Sequence, residues 1–197
     1  MGRIPGLGIA VERYEAMDLI EPYHQRFLSE SGLGSYPLVT AGQVHGTGIG
    51  LVKKANLSPF AEMDGLLTEK RGITLGIYVA DCAPVWIVAR NGSIGALLHS
   101  GKKGTELGIV RHGIRALLDT GKVASSDLIV VVGPCIRPPC YEVDFASEIA
   151  RQVREYGITE IHDDGICTAC HPERYYSYRR ERGLTGRMLA TLTLLPE

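Results

Sequence analysis

Ile73–Leu98 reads ITLGIYVADCAPVWIVARNGSIGALL. Three apolar, β-branched runs, Ile73–Val79, Val85–Ala89 and Ile94–Leu98, are separated only by short breaks rich in Asp, Pro, Asn and Gly. That is the pattern of successive strands. A regular βαβ succession would need a helix between each pair, and the breaks are too short to hold one. Working outward, similar runs occur at Pro37–Val44, Ile49–Lys53, Gly65–Thr68, Leu128–Val132 and Met188–Leu195. Helical signals are fewer. Pro22 suits the first turn of a helix to Ser29, and Thr105 can cap one running to about Leu118, with Gly121 as a stop. Asp144 can cap Phe145–Tyr156 before Gly157, and Pro172–Arg182 gives a fourth short helix. Strands cluster centrally and helices fall mostly at the ends, so the expected fold class is α+β: a single domain, 1–197, of mixed β-sheets packed with helices.

Composition narrows the function. The chain has 197 residues, 45% hydrophobic and 22% charged, enough apolar content to bury one sizeable core. With 21 basic and 22 acidic residues the net charge is -1, which gives no extended footprint for nucleic acid. No apolar run approaches the roughly 18 residues of a membrane span. The start, MGRIPGLGIAVERY, lacks the features of a signal peptide, so a cytoplasmic protein is the expectation. Five cysteines, an odd count, suggest free thiols in a reducing compartment rather than a disulfide framework.

Three residues sit where a strand should stop. His45 follows PLVTAGQV, Cys82 follows ITLGIYVAD, and His99 follows IGALL. Side chains at strand ends can converge on one cleft while the strands hold them still. Two imidazoles and a thiolate suit zinc, leaving a fourth position for water or substrate, and they also suit copper. Taken alone, a histidine in such a place reads as a satisfied core or surface residue. Asp81, beside Cys82, reads as a turn former or as a catalytic carboxylate. Gly95–Lys103 is a near miss to a phosphate-binding P-loop: five residues separate Gly95 from Gly101, and Lys103 stands where a hydroxyl residue is required. CTACH, Cys167–His171, matches the c-type haem attachment pattern; alternatively Cys135, Cys140, Cys167 and Cys170 could close a structural zinc site. In HPERYYSYRRERGLTGR, tyrosines 175, 176 and 178 interleave with Arg174, Arg179 and Arg180, a mixture able to stack a base and grip phosphate or simply to form an ordinary helix.

Read together, QVHGTGI, MDGLLTE, ADCAPVWI, LLHSGKKGT, GPCIRPPCYEV and CTACHPERYYSYRRERGLTGR occur in the order of a known family. The chain resembles the YfiH family, also called the multicopper polyphenol oxidoreductase or laccase-domain family, over roughly 41–190, with 1–40 divergent or shortened. The resemblance implies a YfiH-like fold, with His45, Cys82 and His99 as metal ligands, and Cys82, His99 and Asp81 in the chemistry. It implies phosphorolysis of adenosine, inosine, guanosine and methylthioadenosine, and deamination of adenosine. The partners are then a purine nucleoside and phosphate, with Lys103, Arg179 and Arg180 as phosphate-binding candidates. One zinc per chain is the expected cofactor, with copper as the other fit. Two rival functions are a copper-dependent phenol oxidase and a non-catalytic metal- or nucleoside-binding protein. Two departures bear on this: HSGKKG stands where the family usually has HAGWRG, and its TRxGGVS and SLN motifs are missing before Gln43.

Overall fold

In the computed structural model, residues 1–55 and 58–196 are described. Among the described residues, ten strands and four α-helices run in the order α1 (Arg13–Glu30), β1 (Leu38–Gly42), β2 (Ile49–Val52), β3 (Phe60–Ala61), β4 (Gly65–Thr68), β5 (Thr74–Val79), β6 (Ala83–Ala89), β7 (Gly95–Ser100), α2 (Lys102–Glu106), α3 (Ile109–Leu118), β8 (Leu128–Val132), α4 (Phe145–Arg154), β9 (Glu160–Asp163) and β10 (Met188–Thr193). They form two mixed sheets, a four-stranded one ordered β10-β5-β1-β3 and a six-stranded one ordered β2-β4-β7-β6-β8-β9. The opening stretch is thus shared out: β5 belongs to the smaller sheet, whereas β6 and β7 form an antiparallel hairpin at the centre of the larger.

The larger sheet has two buried faces, which is why its strands read as nearly continuous apolar runs. One face carries Val85, Ile87, Ala96 and Leu98 into a cluster with Ile109, Ile114 and Leu117 of α3 and Ile149 and Val153 of α4. Gly113 permits this contact: a Cβ there would lie 2.7 Å from Leu98 Cδ1. The other face places Leu66 and Leu97 in a second cluster with Val39, Leu75, Ile77 and Val79 of the smaller sheet and Ala16 and Ile20 of α1.

The helices differ from expectation in three places. α1 begins at Arg13 and carries Pro22 in its interior, because Ala16, Ile20, His24 and Leu28, four residues apart, give it a buried stripe. Thr105 caps nothing; it is buried inside α2, its hydroxyl 2.8 Å from Ser100 Oγ, and a left-handed Gly108 (φ 79°) separates α2 from α3. Residues 172–182 form turns instead of a helix. There the Arg179 N–H donates to Asp81, the Ser177 N–H to Glu181 and the Arg180 N–H to the Ser177 hydroxyl, so side-chain oxygens take bonds that a helix would need. Asp144 does cap α4, accepting from the Ser147 N–H at 3.0 Å.

Candidate metal centre

Strand register assembles the site. In the β6–β7 hairpin Pro84 faces His99 and Ala83 faces Ser100, which leaves Cys82 just past the strand, beside Gly101. β4 pairs with β7 so that Gly65 faces Leu98, and the preceding Asp64 falls next to His99. β2 runs parallel to β4 with Ile49 opposite Gly65, bringing the His45 turn over Asp64. The ligand atoms of His45, Cys82 and His99 consequently lie within 4.8 Å of one another, and the two imidazole rings meet edge-on with centroids 4.9 Å apart. Space around the thiol is tight: a Cβ on Gly101 would come 2.4 Å from Cys82 Sγ.

Asp64 organises the trio. Its carboxylate is fully buried and accepts from three successive backbone N–H groups, those of Val44, His45 and Gly46, at 2.7 to 3.0 Å. His45 takes the left-handed conformation (φ 60°) that lets those donors converge, an anion-holding nest. The remaining contact is with His99 Nδ1 at 2.8 Å. Held there, His99 turns its Nε2 toward Cys82, the carboxylate–histidine arrangement that fixes a metal ligand's tautomer. Burial raises the Asp64 carboxyl, but the bonds from His99, Gly46 and Val44 outweigh it and hold the group down at about 2.

The same contest sets the other charges. Burial alone would push the Cys82 thiol up, yet His99 and His45 bring it down to about 6. Burial would lower His99, yet Cys82 and Asp64 raise it to about 9. The thiolate already has the charge that a metal ligand requires, whereas the imidazolium facing it must release a proton when a metal binds, since the neutral ring is the ligand. Two imidazoles and one thiolate fit zinc or copper(I), and the donor set leaves a coordination position open to the cleft. Chemically, the residues present fit a single metal ion.

The trio opens on a cleft of about 810 Å³, whose wall includes Asp81, Arg179, Lys102 of the HSGKKG segment and, among residues the sequence did not single out, Arg13, Tyr78, Tyr141 and Arg187. Asp81 accepts from Thr168 Oγ1 at 2.7 Å and from the Arg179 N–H at 2.9 Å, fastening the 166–187 loop against the trio. Arg179 lies 4.7 Å over the Tyr141 ring and reaches Glu142 at 2.9 Å. Two of the expected phosphate-binding residues lie off this wall. Lys102 lines the cleft in place of Lys103, because α2 starts at Lys102 and adjacent helical residues point about 100° apart. Arg180 instead donates to the Ala169 carbonyl at 3.1 Å. Arg187 is buried, gives two bonds from one nitrogen to the Thr185 and Gly186 carbonyls, and is lowered by burial and by the nearby Arg13 cation.

The family model described as multi-copper polyphenol oxidoreductase laccase matches residues 6–154 and 143–195. The chain belongs to this family. Purine nucleoside phosphorylase YlmD of Geobacillus stearothermophilus is 30% identical across 79% of this chain and 73% of its own. A purine nucleoside phosphorylase of Clostridium acetobutylicum is 31% identical across 66% of each chain. The YlmD crystal structure from Geobacillus stearothermophilus superposes with a TM-score of 0.83 at 27% identity, covering 87% of this chain and 78% of that one. Bacillus licheniformis YfiH has the same α+β fold, with a TM-score of 0.82 at 22% identity over 89% and 80% of the two chains. Among the described residues, no helix is long and apolar enough to cross a membrane.

The other histidines lie apart from the trio. His24 is buried against the Arg187 carbonyl, His112 contacts the Gly108 carbonyl, and His162 and His171 stand at the surface beside Glu160 and Glu173. Of the four cysteines weighed as a zinc set, Cys140, Cys167 and Cys170 come within 4.8 Å of one another. Cys135 is in the core, its thiol pushed up to about 12 by burial.

Proposed function

We propose that this protein is a cytoplasmic, metal-dependent purine nucleoside phosphorylase acting on adenosine, inosine, guanosine and methylthioadenosine. The observation that carries the reading is that a metal-capable His2Cys trio and a buried arginine, without a carboxylate partner among the described residues, line one cleft. Phosphorolysis places a phosphate oxygen against C1′ of the sugar while the purine departs with the bonding electrons. The transition state resembles an oxocarbenium ion, so the site must neutralise phosphate and exclude water. The buried Arg187 and the exposed Arg13, Lys102 and Arg179 bring positive charge to the cleft. The exposed Tyr178 and the half-buried Tyr141 offer rings on which a purine can stack. Asp81 acts as a positioning residue, since both of its oxygens already hold the loop that carries Arg179. His45, Cys82 and His99 would hold a zinc ion, which would supply Lewis acidity and the means to activate water near neutral pH. That chemistry also supports a second reaction at the same centre, deamination of adenosine, because the trio leaves a coordination position facing the cleft.

Purified zinc-loaded protein is incubated with adenosine, with and without phosphate, and the products are separated by chromatography. Adenine formed only with phosphate supports phosphorolysis, and inosine supports deamination. Absence of both products from metal-loaded protein overturns the reading. His99→Ala should abolish tight zinc binding, and unchanged zinc content in that variant would refute the ligand set. Arg187→Lys, which keeps the charge but loses the planar fork, should raise the KM for phosphate about tenfold or more with a smaller change for nucleoside.

A further inference from the structure

We infer that Cys140, Cys167 and Cys170 form a second metal site, distinct from the His2Cys trio, for a soft d10 cation, zinc or copper(I). The site is assembled by backbone pairing. β8 and β9 run parallel, and the pairing continues past both strands as a bridge between Cys135 and Cys167. The Cys135 N–H donates to the Ile166 carbonyl at 3.2 Å and the Thr168 N–H to the Cys135 carbonyl at 3.0 Å. That lays CIRPPC alongside CTAC. A single 3-10 turn, Thr168–Cys170, then brings the two sulfurs of the second segment to one side, closed by a Cys170 N–H bond to the Cys167 carbonyl at 3.2 Å. Cys140 arrives from the other segment with its sulfur 3.0 Å from that of Cys170.

Three converging thiols distinguish this site from a disulfide. A disulfide joins two sulfurs at about 2.05 Å and leaves no role for a third, whereas all three here lie within 4.8 Å of one another and all are free thiols. Zinc–sulfur bonds of about 2.3 Å in a tetrahedron set the sulfurs roughly 3.8 Å apart. The 3.0 Å between Cys140 and Cys170 is shorter than that separation, and the exposed Cys170 has room to adjust. Thiolate-only sets favour soft cations, copper(I) in a trigonal site or zinc with a solvent ligand completing four. Cys167 is buried and Cys170 exposed, so one side of the site faces solvent.

The position gives the ion a task. Cys140 immediately precedes Tyr141 of the cleft wall, and Thr168, between the other two ligands, donates to Asp81. A cation here would tie together the two loops that hold the wall opposite the trio. None of this depends on the reaction proposed above.

The test counts metal in intact protein. Wild type, His45→Ala/His99→Ala and Cys140→Ser/Cys170→Ser are dialysed with zinc under a non-coordinating reductant, and bound zinc is measured by mass spectrometry. A parallel anaerobic series uses copper(I). The expected content is two ions per chain in wild type and one in each double variant. If the trio binds nothing, wild type and His45→Ala/His99→Ala still hold one ion and Cys140→Ser/Cys170→Ser holds none, which supports the second site alone. Cobalt(II) in the His45→Ala/His99→Ala background should show strong sulfur-to-metal charge transfer. Cys170→Ser alone, at an exposed position, controls for misfolding and should also lose this ion. The inference is overturned if His45→Ala/His99→Ala holds neither cation, or if Cys140→Ser/Cys170→Ser keeps the wild-type content.

Discussion

The two walls of the cleft are built in different ways. On one side, His99 lies in β7 and Cys82 just before β6, strands paired on both flanks, and His45 lies in the turn between β1 and β2. On the other, residues 166–187 contain one isolated bridge at Cys167, one 3-10 turn and otherwise turns and irregular backbone, and side-chain hydrogen bonds replace a ladder. Each side holds a carboxylate that gathers at least three donors. Asp64 collects three backbone N–H groups and His99 in full burial. Glu181 collects the Arg3 guanidinium at 2.7 Å, the Ser177 N–H at 3.0 Å and the Thr185 hydroxyl, with its side chain 20% exposed. The comparison teaches that a cleft wall can be held in place through strand register or through a hub of charge, and that the two should fail differently.

The largest expected effect lies on the strand-built side. Asp64→Asn keeps the shape but removes the charge opposite His99, and breaking a buried pair costs about 3–5 kcal/mol. Zinc affinity should fall ten- to a hundredfold with the loss of an outer-shell partner. Urea unfolding and chelator competition measure the two, and an unchanged zinc affinity would separate Asp64 from the site. Next comes Gly101→Ala. Its new Cβ would meet Cys82 Sγ at 2.4 Å, so the thiol must move out of the trio. Overpacking of this kind costs about 1–3 kcal/mol, and zinc binding should suffer more than stability does. Wild-type zinc affinity in that variant would show that the thiol is dispensable.

Glu181→Gln tests the loop-built side, with an expected loss of about 1–3 kcal/mol and full retention of zinc at the trio. Burial raises the Glu181 carboxyl, but Arg3 and the Ser177 and Thr185 donors outweigh it and leave it below its ordinary 4.5. A depressed folded value means that the ionised form stabilises the fold. The contribution is fully present above about 4.5 and disappears as pH falls through the lower folded value. Wild type should therefore lose stability relative to Glu181→Gln on acidification, and parallel pH profiles for the two would refute the hub.

The same contrast explains what could be read before the fold was known. His45, Cys82 and His99 were legible because an apolar run ending in a ligand-capable residue survives any detail of pairing. Asp64 was not, although MDGLLTE contains it: an aspartate before a glycine reads as a turn, and only the β4–β7 register puts it against His99. The 172–182 segment misled in the opposite direction. Its composition tolerates a helix, but Asp81, far away in sequence, captures the Arg179 N–H. Lys102 and Lys103 could be told apart only by the phase of a helix whose first residue was unknown. Arg187 gave no signal, since burial of a lone arginine depends on how the loop folds back.

The β6–β7 hairpin also has a kinetic consequence. Its turn, with Gly92 at φ 66° and the Ser93 N–H bonded to Asn91, closes a short loop that carries Cys82 on one arm and His99 on the other. Hairpins of this kind form in about 1–10 μs, whereas parallel pairings such as β2 with β4 must close longer chain segments. A refolding chain therefore presents a thiol and an imidazole side by side before His45 arrives. The last ligand to arrive is the one that reports completion of the fold.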